Sequence, residues 1–200
     1  MKFITLSGVD GSGKSTQLSM LQKQFEEQGL RVAYFHAVSF SLIETVRSKI
    51  FGARKAGSAP AKTKSSILSL WLRQFLLLID TLRFRRYFAR LKETDCDYLL
   101  SDRYFYDTLI NIAYLAKSSP KNAYSLFLYR LLPKPDQALY LRIIPEQVMK
   151  RENAPEQGLS YLKEKTALFE SVVGTWKLTP INADQTIDDV TRQILTHTSV

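Results

Sequence analysis

The amino-acid sequence predicts an α/β fold in which helices flank one parallel β-sheet. Two observations carry this prediction. Short apolar runs alternate with longer amphipathic segments along the whole chain, as strands alternate with helices in folds of this class. The apolar runs at 98–100 and 138–141 also contain almost no polar residues. Such runs are typical of parallel strands that helices cover on both faces.

The alternation assigns each segment of the chain to a strand, a helix or a connection. Gly29 follows the first predicted helix, where a glycine commonly ends a helix. Strands are expected at 2–7, 31–36, 96–101, 137–142 and 178–182. Helices are expected at 14–28, 39–51, 67–91, 105–117, 122–131, 145–152, 160–174 and 186–197.

The length of 200 residues predicts a single domain, 1–200, with one well-packed core. Hydrophobic residues make up 45% of the chain and charged residues 24%, which is ordinary for a globular protein. No uncharged apolar run reaches 18 residues, so no membrane association is expected. Cys96 is the single cysteine of the sequence, and a lone buried thiol is typical of a reducing compartment. We therefore expect a cytoplasmic protein.

The most specific local pattern is a phosphate-binding loop at residues 8–15, which read G-V-D-G-S-G-K-S. An apolar run precedes this loop and an amphipathic stretch follows it, so the loop joins a strand to a helix. Glycines let backbone N–H groups approach a phosphate closely, and the helix N-terminus adds partial positive charge. Lys14 adds a full positive charge, and the Ser15 hydroxyl is placed to hold Mg²⁺.

Two segments interrupt the alternation of strands and helices. Residues 52–66 are small, polar and basic, and we expect them to form a mobile loop. Residues 152–159 separate two predicted helices late in the chain. In an ATP-using α/β fold, a segment at this place can close over the nucleotide as a lid. Ordinary loop chemistry accounts for both segments equally well.

The phosphate-binding loop occurs in many protein classes, so it leaves the reaction open. A GTPase would carry an N-K-x-D motif and a transport ATPase an L-S-G-G-Q motif, and neither occurs in the sequence. Asp102 and Arg103 follow an apolar strand directly. A carboxylate at the carboxyl end of a strand beside this loop can order Mg²⁺, and the adjacent guanidinium can clamp a second phosphate. We interpret the pair as part of the site in preference to a surface ion pair.

The net charge of +9 fits either a nucleic-acid surface or a protein that handles polyanionic small molecules. The densest basic cluster, residues 83–90, interleaves arginines with aromatic residues as single-strand binders do. On a helix, the same spacing puts Phe84 and Phe88 on one face and leaves the arginines to solvent. We favour the solvated helix, and nucleic acid is not the expected partner.

In several segments the sequence resembles the thymidylate kinase family of nucleoside monophosphate kinases. The segments follow the family's order and spacing over most of the chain, and the match is poor at about 37–75. The resemblance implies a three-layer P-loop NTPase fold with a short lid and a five-stranded parallel sheet of order 2-3-1-4-5. It rests on residues 8–17, 102–104 and 134–141, on Pro145-Glu146 and Lys150-Arg151, and on 181–184.

The resemblance implies Mg²⁺ as the cofactor and ATP as the phosphoryl donor. Ser15 and Asp102 would be the metal residues, and Arg151 would approach ATP from the lid helix. The catalytic residues would be Lys14, Asp102, Arg103 and Arg151. The residues that bind the donor would be Gly8, Asp10, Gly11, Ser12, Gly13, Lys14, Ser15, Thr16 and Arg151.

The acceptor side is likewise assigned through the resemblance. Asp10 would reach a hydroxyl of the acceptor sugar, Arg103 would bind the acceptor phosphate, and Arg83 would lie against the nucleobase. A homodimer is also implied, with the aromatic-rich helices at 67–91 and 105–131 as a candidate interface. The same apolar faces could instead pack in the core.

The sequence departs from the family pattern on the acceptor side. The family usually has an Arg-Glu-Pro segment after its second strand, where this chain has His36-Ala37-Val38. Asp107 and Asn111 stand in the stretch where the family usually has a serine-rich, base-reading segment. These two residues are therefore expected to contact the acceptor, with different hydrogen-bond partners.

The family's catalytic arginine also has no direct counterpart. Members usually carry it in the phosphate-binding loop or in the lid, but position 11 here is Gly11, and residues 152–158 contain no arginine or lysine. Such an arginine is worth about three or more powers of ten in rate. Arg151, Lys163 or a residue of the mobile loop is expected to replace it.

Three functions are consistent with these patterns. The leading hypothesis is a Mg²⁺-ATP-dependent kinase that converts a nucleoside monophosphate to its diphosphate, with dTMP to dTDP the first choice. The second keeps phosphoryl transfer but changes the acceptor to another small molecule. The third is a non-catalytic nucleotide-binding protein.

Overall fold

The computed structural model describes residues 1–42, 67–151 and 154–198. Its strands form one sheet in which every pairing is parallel, in the order β2-β3-β1-β4-β5. This finding confirms the α/β class and the predicted strand order. The strands are β1 Lys2–Ser7, β2 Val32–His36, β3 Tyr98–Asp102, β4 Gln137–Arg142 and β5 Thr179–Asn182.

The helices lie close to their predicted positions. They are α1 Lys14–Glu27, α2 Ala37–Phe40, α3 Ile67–Lys92, α4 Phe105–Ala116, α5 Ala123–Leu131, α6 Pro145–Val148, α7 Gly158–Val172 and α8 Ile187–Thr198. Helix α1 ends as predicted at Gly29, whose φ of 78° is in the left-handed region. The N–H of Leu30 donates to the carbonyl of Phe25 across this turn, which is the pattern of a Schellman motif.

Alternate residues of the central strands face opposite helix layers. The ring of Phe3 in β1 contacts Phe84 and Phe88 of α3, whereas Tyr98 at the start of β3 contacts Phe25 of α1. Phe3, Phe25 and Phe84 are completely buried. The sheet is therefore covered on both faces, which accounts for its nearly uninterrupted apolar strands.

The basic cluster at 83–90 is part of helix α3, as predicted. Phe84 is completely buried and Phe88 packs against the core. Arg85, Arg86 and Arg90 are exposed. The alternation of arginine and aromatic residues thus follows the helical period, with the aromatic face on the sheet.

Some boundaries differ from the sequence-based expectation. The helix predicted at 145–152 ends at Val148, because the following N–H groups of Lys150 and Arg151 bond three residues back rather than four. Cys96 precedes β3 and is only partly buried. Residues 52–66, expected to form a mobile loop, and most of the helix expected at 39–51 lie outside the described residues, as do positions 152 and 153 of the expected lid. Within the described ranges, no helix is long and apolar enough to cross a membrane.

The parallel arrangement gathers several polar residues at one edge of the sheet. Strand pairing places Asp102 at the end of β3 between Leu6 of β1 and His36 of β2. The phosphate-binding loop begins just after β1. Because all strands run in one direction, their carboxyl ends meet at this edge. The candidate site is built here.

Candidate active site

The phosphate-binding loop bends sharply between β1 and α1. Gly8 has a φ of 152°, and a Cβ atom at this position would lie 2.9 Å from Ser12 Oγ and 3.1 Å from the carbonyl oxygen of Leu141. Gly13 has a φ of 97° and stands directly before the first turn of α1. These positions need glycine, so the loop leaves room for an anion at the N-terminus of α1.

Lys14 is buried and folds back onto the loop. Its ammonium donates to the carbonyls of Gly8 at 2.9 Å and Val9 at 2.7 Å, and to Ser12 Oγ at 3.3 Å. Burial lowers the pKa of Lys14 to about 8, and the nearby Arg103 guanidinium adds to this effect. The loop therefore holds an ammonium that an anionic phosphate would stabilise in its charged form.

Ser15 and Asp102 make a pair of hard oxygen donors beside the loop. Ser15 Oγ donates to Asp102 Oδ2 at 2.6 Å, and the Tyr34 hydroxyl donates to the same oxygen at 3.0 Å. His36 Nε2 lies 4.0 Å from that oxygen. Hydroxyl and carboxylate oxygens suit Mg²⁺, which takes one or two protein oxygens and completes its shell with waters and substrate phosphates. In the described part of the chain, no group of three or more His, Cys, Asp or Glu side chains is placed to hold a metal ion.

Asp10 is the centre of a second cluster of polar side chains. Arg103 Nη2 donates to Asp10 Oδ1 at 2.5 Å, and the Tyr161 hydroxyl donates to Oδ2 at 2.6 Å. The ammonium of Lys165 lies 3.7 Å from Oδ2. Burial alone would raise the pKa of Asp10, but Arg103 and Lys165 outweigh it and hold that pKa well below its usual range. The carboxylate is thus ionised and fixed in position.

Arg103 adopts an uncommon backbone conformation, with a φ of 63°. Its N–H donates to the carbonyl of Leu6 at 3.1 Å, which ties the residue to the end of β1. Non-glycine residues in the left-handed region cluster at functional sites. One nitrogen of the guanidinium is engaged by Asp10, so its fork has donors left for a phosphate.

The described hydrogen bonds of Asp107 are to the backbone. Gly8 N donates to its Oδ1 at 3.2 Å, and Tyr104 N donates to its Oδ2 at 3.1 Å. Asp107 therefore caps helix α4 and anchors the first glycine of the phosphate-binding loop. Asn111 lies one turn further along α4 and is partly exposed. The expected contacts of both residues with the acceptor stay predictions.

Arg83 joins α3 to the segment after β2. Its Nη1 donates to Asp80 Oδ1 at 2.6 Å and to the Phe40 carbonyl at 3.2 Å, and its guanidinium lies 4.5 Å from the Phe40 ring. Asp80 is almost completely buried and its Oδ2 accepts from Leu42 N at 2.9 Å. Arg83 is thereby held against Asp80 and Phe40, and its expected contact with the nucleobase stays a prediction.

Arg151 also contacts the phosphate-binding loop. Its Nη1 donates to the carbonyl of Gly11 at 2.7 Å and its Nη2 to the carbonyl of Ala183 at 3.4 Å. It borders a cleft of about 360 Å³ next to the N-terminus of α1. The cleft is lined by Ser12, Gly13, Thr16, Gln17, Arg151, Ala183, Gln185, Ile187 and Val190. Neither Asp10 nor Arg103 is among the residues that line this cleft.

The structure brings most of the predicted site residues to the phosphate-binding loop. Lys163 forms no hydrogen bond or ion pair with the loop among the residues that the structure describes. Its ammonium pairs with Glu146 at 2.7 Å, and its side chain is about half exposed. Sequence reasoning missed Tyr34, Tyr161 and Lys165. One signal could have identified Lys165, since it interrupts the apolar stripe of α7 formed by Tyr161, Leu162, Phe169 and Val172.

Comparison with known proteins adds an independent finding. Residues 6–194 match the family profile described as thymidylate kinase. The chain is 25% identical over 196 residues to a probable thymidylate kinase of Methanosphaera stadtmanae, covering 96% of this chain and 94% of that one. It is 25% identical over 205 residues to a thymidylate kinase of Prochlorococcus marinus, covering 96% and 93%.

The fold also resembles a solved structure, that of thymidylate kinase from Candida albicans. The TM-score is 0.66 at 18% sequence identity, and the alignment covers 98% of this chain and 89% of that chain. At this identity the likeness concerns the fold, and it agrees with the sheet order found above.

Proposed function

Since the chain belongs to the thymidylate kinase family and is a nucleoside monophosphate kinase, we propose that it transfers the γ-phosphoryl group of Mg²⁺-ATP to dTMP, giving dTDP and ADP. One observation carries the proposal. Lys14 and Ser15 lie in the same 8–15 segment as Asp10; Ser15 is bonded to Asp102 at the end of β3, and Asp10 holds Arg103. Groups suited to a triphosphate and groups suited to a phosphorylated acceptor therefore adjoin.

The donor half is supported by the cleft that Arg151 borders. ATP phosphates would lie in the loop, between the backbone N–H groups and Lys14, and the nucleoside would extend into the cleft. Ser15 and Asp102 fit Mg²⁺ as hard oxygen donors. When bound, Mg²⁺ would neutralise charge on the triphosphate and orient it.

The acceptor half is supported by the cluster around Asp10. An oxygen of the acceptor phosphate forms a bond to the γ-phosphorus while the bond from that phosphorus to the β,γ-bridging oxygen breaks, and ADP leaves. A phosphate monoester has a second pKa of about 6, so the attacking group is a dianion at neutral pH and needs no general base. The protein's task is to position the two phosphates and offset their charge, which suits Arg103.

Asp10 and Arg83 would fix the rest of the acceptor. The Asp10 carboxylate is ionised and can accept a hydrogen bond from a sugar hydroxyl. Arg83, held by Asp80 and Phe40, would lie against the base. The curated relatives' names favour thymidylate, whereas His36 in place of the family's arginine favours a second candidate, another phosphorylated small molecule.

A coupled ADP-release assay with Mg²⁺-ATP tests the proposal. It would compare dTMP with dUMP, dCMP, dAMP and dGMP. We expect dTMP to have the highest kcat/KM. Turnover of another acceptor in preference to dTMP would favour the second candidate, and no turnover with any nucleoside monophosphate would contradict the proposed function.

We also propose that the protein is a homodimer. Helix α3 carries large apolar side chains that are more than 40% exposed, at a spacing that puts them on one face. Contiguous exposed apolar surface of this kind marks interaction sites in globular proteins. The residues of this face, named here the α3 stripe, are Leu68, Trp71, Leu72, Phe75 and Leu82.

A further inference from the structure

We propose that Lys165 of helix α7 binds the phosphate group of the acceptor, beside Arg103, and supplies positive charge that the phosphate-binding loop and the lid do not provide. This inference rests on the proposed function, because it concerns a further residue of that site. It assigns a residue that belongs to no local sequence motif.

The location of Lys165 is unusual for a lysine. The residue is 7% exposed and occupies the apolar stripe of α7, between the turns that carry Tyr161 and Phe169. Lysine is rarely buried this deeply without a full set of partners, because loss of hydration disfavours its charged form. A merely structural position on this stripe would suit an apolar residue.

The ammonium of Lys165 points to the site but is not saturated there. Its nearest carboxylate atom, Asp10 Oδ2, is 3.7 Å away, which is longer than a hydrogen bond. That oxygen already accepts from Tyr161, and Asp10 Oδ1 accepts from Arg103. Across residues 1–42, 67–151 and 154–198, none of the hydrogen bonds involves Lys165 Nζ. The ammonium also lies 4.6 Å from the centre of the Tyr161 ring. Ring and carboxylate thus hold the charge at the site, and its N–H groups can still donate to a ligand.

The charges around Asp10 favour an anion at this place. Arg103 and Lys165 share one carboxylate, so the three groups together carry one net positive charge. Burial lowers the pKa of Lys165, while Asp10 opposes that effect. A phosphate dianion at this place would be bound by both cations through charge-assisted hydrogen bonds and would favour the charged form of Lys165.

The two cations that were expected to replace the family's catalytic arginine do not contact Asp10 in the described hydrogen bonds and ion pairs. Arg151 contacts the carbonyl of Gly11 on the side of the donor cleft. Lys163, two residues before Lys165, turns outward to Glu146. Lys165 thus joins Arg103 at Asp10, where the acceptor phosphate is proposed to bind.

A substrate-truncation experiment tests the proposal. Binding of dTMP and of thymidine would be measured by calorimetry for the unmodified protein and for Lys165→Met. Methionine replaces the unbranched stem of lysine as far as Cε and suits an apolar stripe, so the variant is expected to fold. Circular dichroism and thermal melting check this, and Lys165→Gln serves as a second uncharged variant.

We expect Lys165→Met to weaken dTMP binding by about ten-fold to a hundred-fold, the range for loss of a hydrogen bond between charged groups. Thymidine lacks the phosphate, so its affinity should change less than about two-fold. Lys23→Met, in an exposed i,i+4 pair with Glu27, makes the same charge change and should bind dTMP as the unmodified protein does.

Two results would overturn the assignment. Unchanged dTMP affinity in Lys165→Met would show that the ammonium does not reach the phosphate. An equal loss for dTMP and thymidine would show that Lys165 only positions Asp10. The proposed function fails separately, if the unmodified protein transfers no phosphoryl group to any nucleoside monophosphate.

Discussion

At the scale of single residues, Lys14 shows how the site is prepared for an anion. With its ammonium bonded to the carbonyls of Gly8 and Val9, the side chain is held inside the loop before any phosphate is bound. Because burial and Arg103 lower its pKa to about 8, some of the protein carries a neutral Lys14 at mildly alkaline pH. Phosphate binding must then be accompanied by uptake of a proton.

This coupling predicts a pH-dependent affinity for ATP. Below pH 8 Lys14 is charged in the free protein and binding needs no proton. Above pH 8 each further pH unit lowers the affinity for ATP by up to about ten-fold, because a smaller fraction of Lys14 is charged. Between pH 7.5 and 9.5 we expect the Kd for Mg²⁺-ATP, measured by calorimetry, to rise on the order of ten-fold.

Lys14→Arg provides the control for this measurement. Arginine stays charged over the whole range, so its binding of ATP should be weaker but nearly independent of pH. An equally steep rise in Kd for Lys14→Arg would assign the effect to another group. A flat curve for the unmodified protein would contradict a lowered pKa of Lys14.

Asp102 gives a second prediction at this scale. Its Oδ2 accepts hydrogen bonds from Ser15 and Tyr34, which hold the carboxylate beside the loop. Asp102→Asn keeps the shape of the side chain and removes the charge. We therefore expect the Mg²⁺ concentration for half-maximal ADP release to rise about ten-fold or more.

The matched control is Asp95→Asn. Asp95 is exposed and pairs with Arg31 before β3, so this variant should leave the Mg²⁺ requirement unchanged. If Asp102→Asn had the Mg²⁺ dependence of Asp95→Asn, Asp102 would not support the metal.

Motifs identified some site residues from the sequence, and long-range packing determined the others. Lys14, Ser15 and Asp102 belong to local patterns whose geometry the backbone of a loop or a strand end fixes. Tyr161 and Lys165 are separated from Asp10 by about 150 positions in the chain and reach it only when α7 packs against the loop. No local rule links residues so far apart, although a lysine in an apolar stripe was a detectable anomaly.

At the scale of elements, the strand–loop–helix unit depends on close backbone approach at Gly8. A methyl group there would meet Ser12 Oγ at 2.9 Å and the Leu141 carbonyl at 3.1 Å. Gly8→Ala is thus expected to lower the free energy of unfolding by about 1–3 kcal/mol. We expect ATP to raise the melting temperature of the unmodified protein, and Gly8→Ala should abolish this rise.

Gly174→Ala is the appropriate comparison. Gly174 is outside the left-handed region, and a Cβ atom there would have no neighbour within 4 Å. The free energy of unfolding of Gly174→Ala should match that of the unmodified protein within about 0.5 kcal/mol. The rise in its melting temperature with ATP should also be unchanged. Should Gly8→Ala retain the full response to ATP, the loop would not require this close approach.

The sequence predicted strands and helix ends correctly where a single local feature, such as apolar composition or a glycine, determines them. The buried strands follow from their apolar composition, and the end of α1 follows from Gly29. Helix α6 was predicted too long because its residues suit a helix locally. The chain turns instead after Val148, and the side chain of Arg151 reaches Gly11 and Ala183. Tertiary contacts of this kind are not encoded in helix propensity.

At the scale of the whole molecule, the proposed dimer makes the α3 stripe an interface. In a symmetric dimer the same face meets its own copy, so one substitution acts twice. Trp71→Glu is expected to weaken association by about a hundred-fold or more and to give a monomer in light scattering after size exclusion.

Ile144→Glu offers a matched control for the dimer prediction. Ile144 is about half exposed and follows β4, away from α3. This variant should keep the dimer. If the unmodified protein is monomeric at micromolar concentration, the proposed dimer is wrong. That result would leave the proposal of phosphoryl transfer unaffected.

The central claim is transfer between two nucleotides at one loop, and ³¹P NMR of a reaction with Mg²⁺-ATP and dTMP tests it most directly. We expect the β-phosphate signal of dTDP to grow in step with that of ADP, and Lys14→Ala to suppress both while remaining folded. Release of ADP with inorganic phosphate in place of dTDP, or full turnover by Lys14→Ala, would contradict the account.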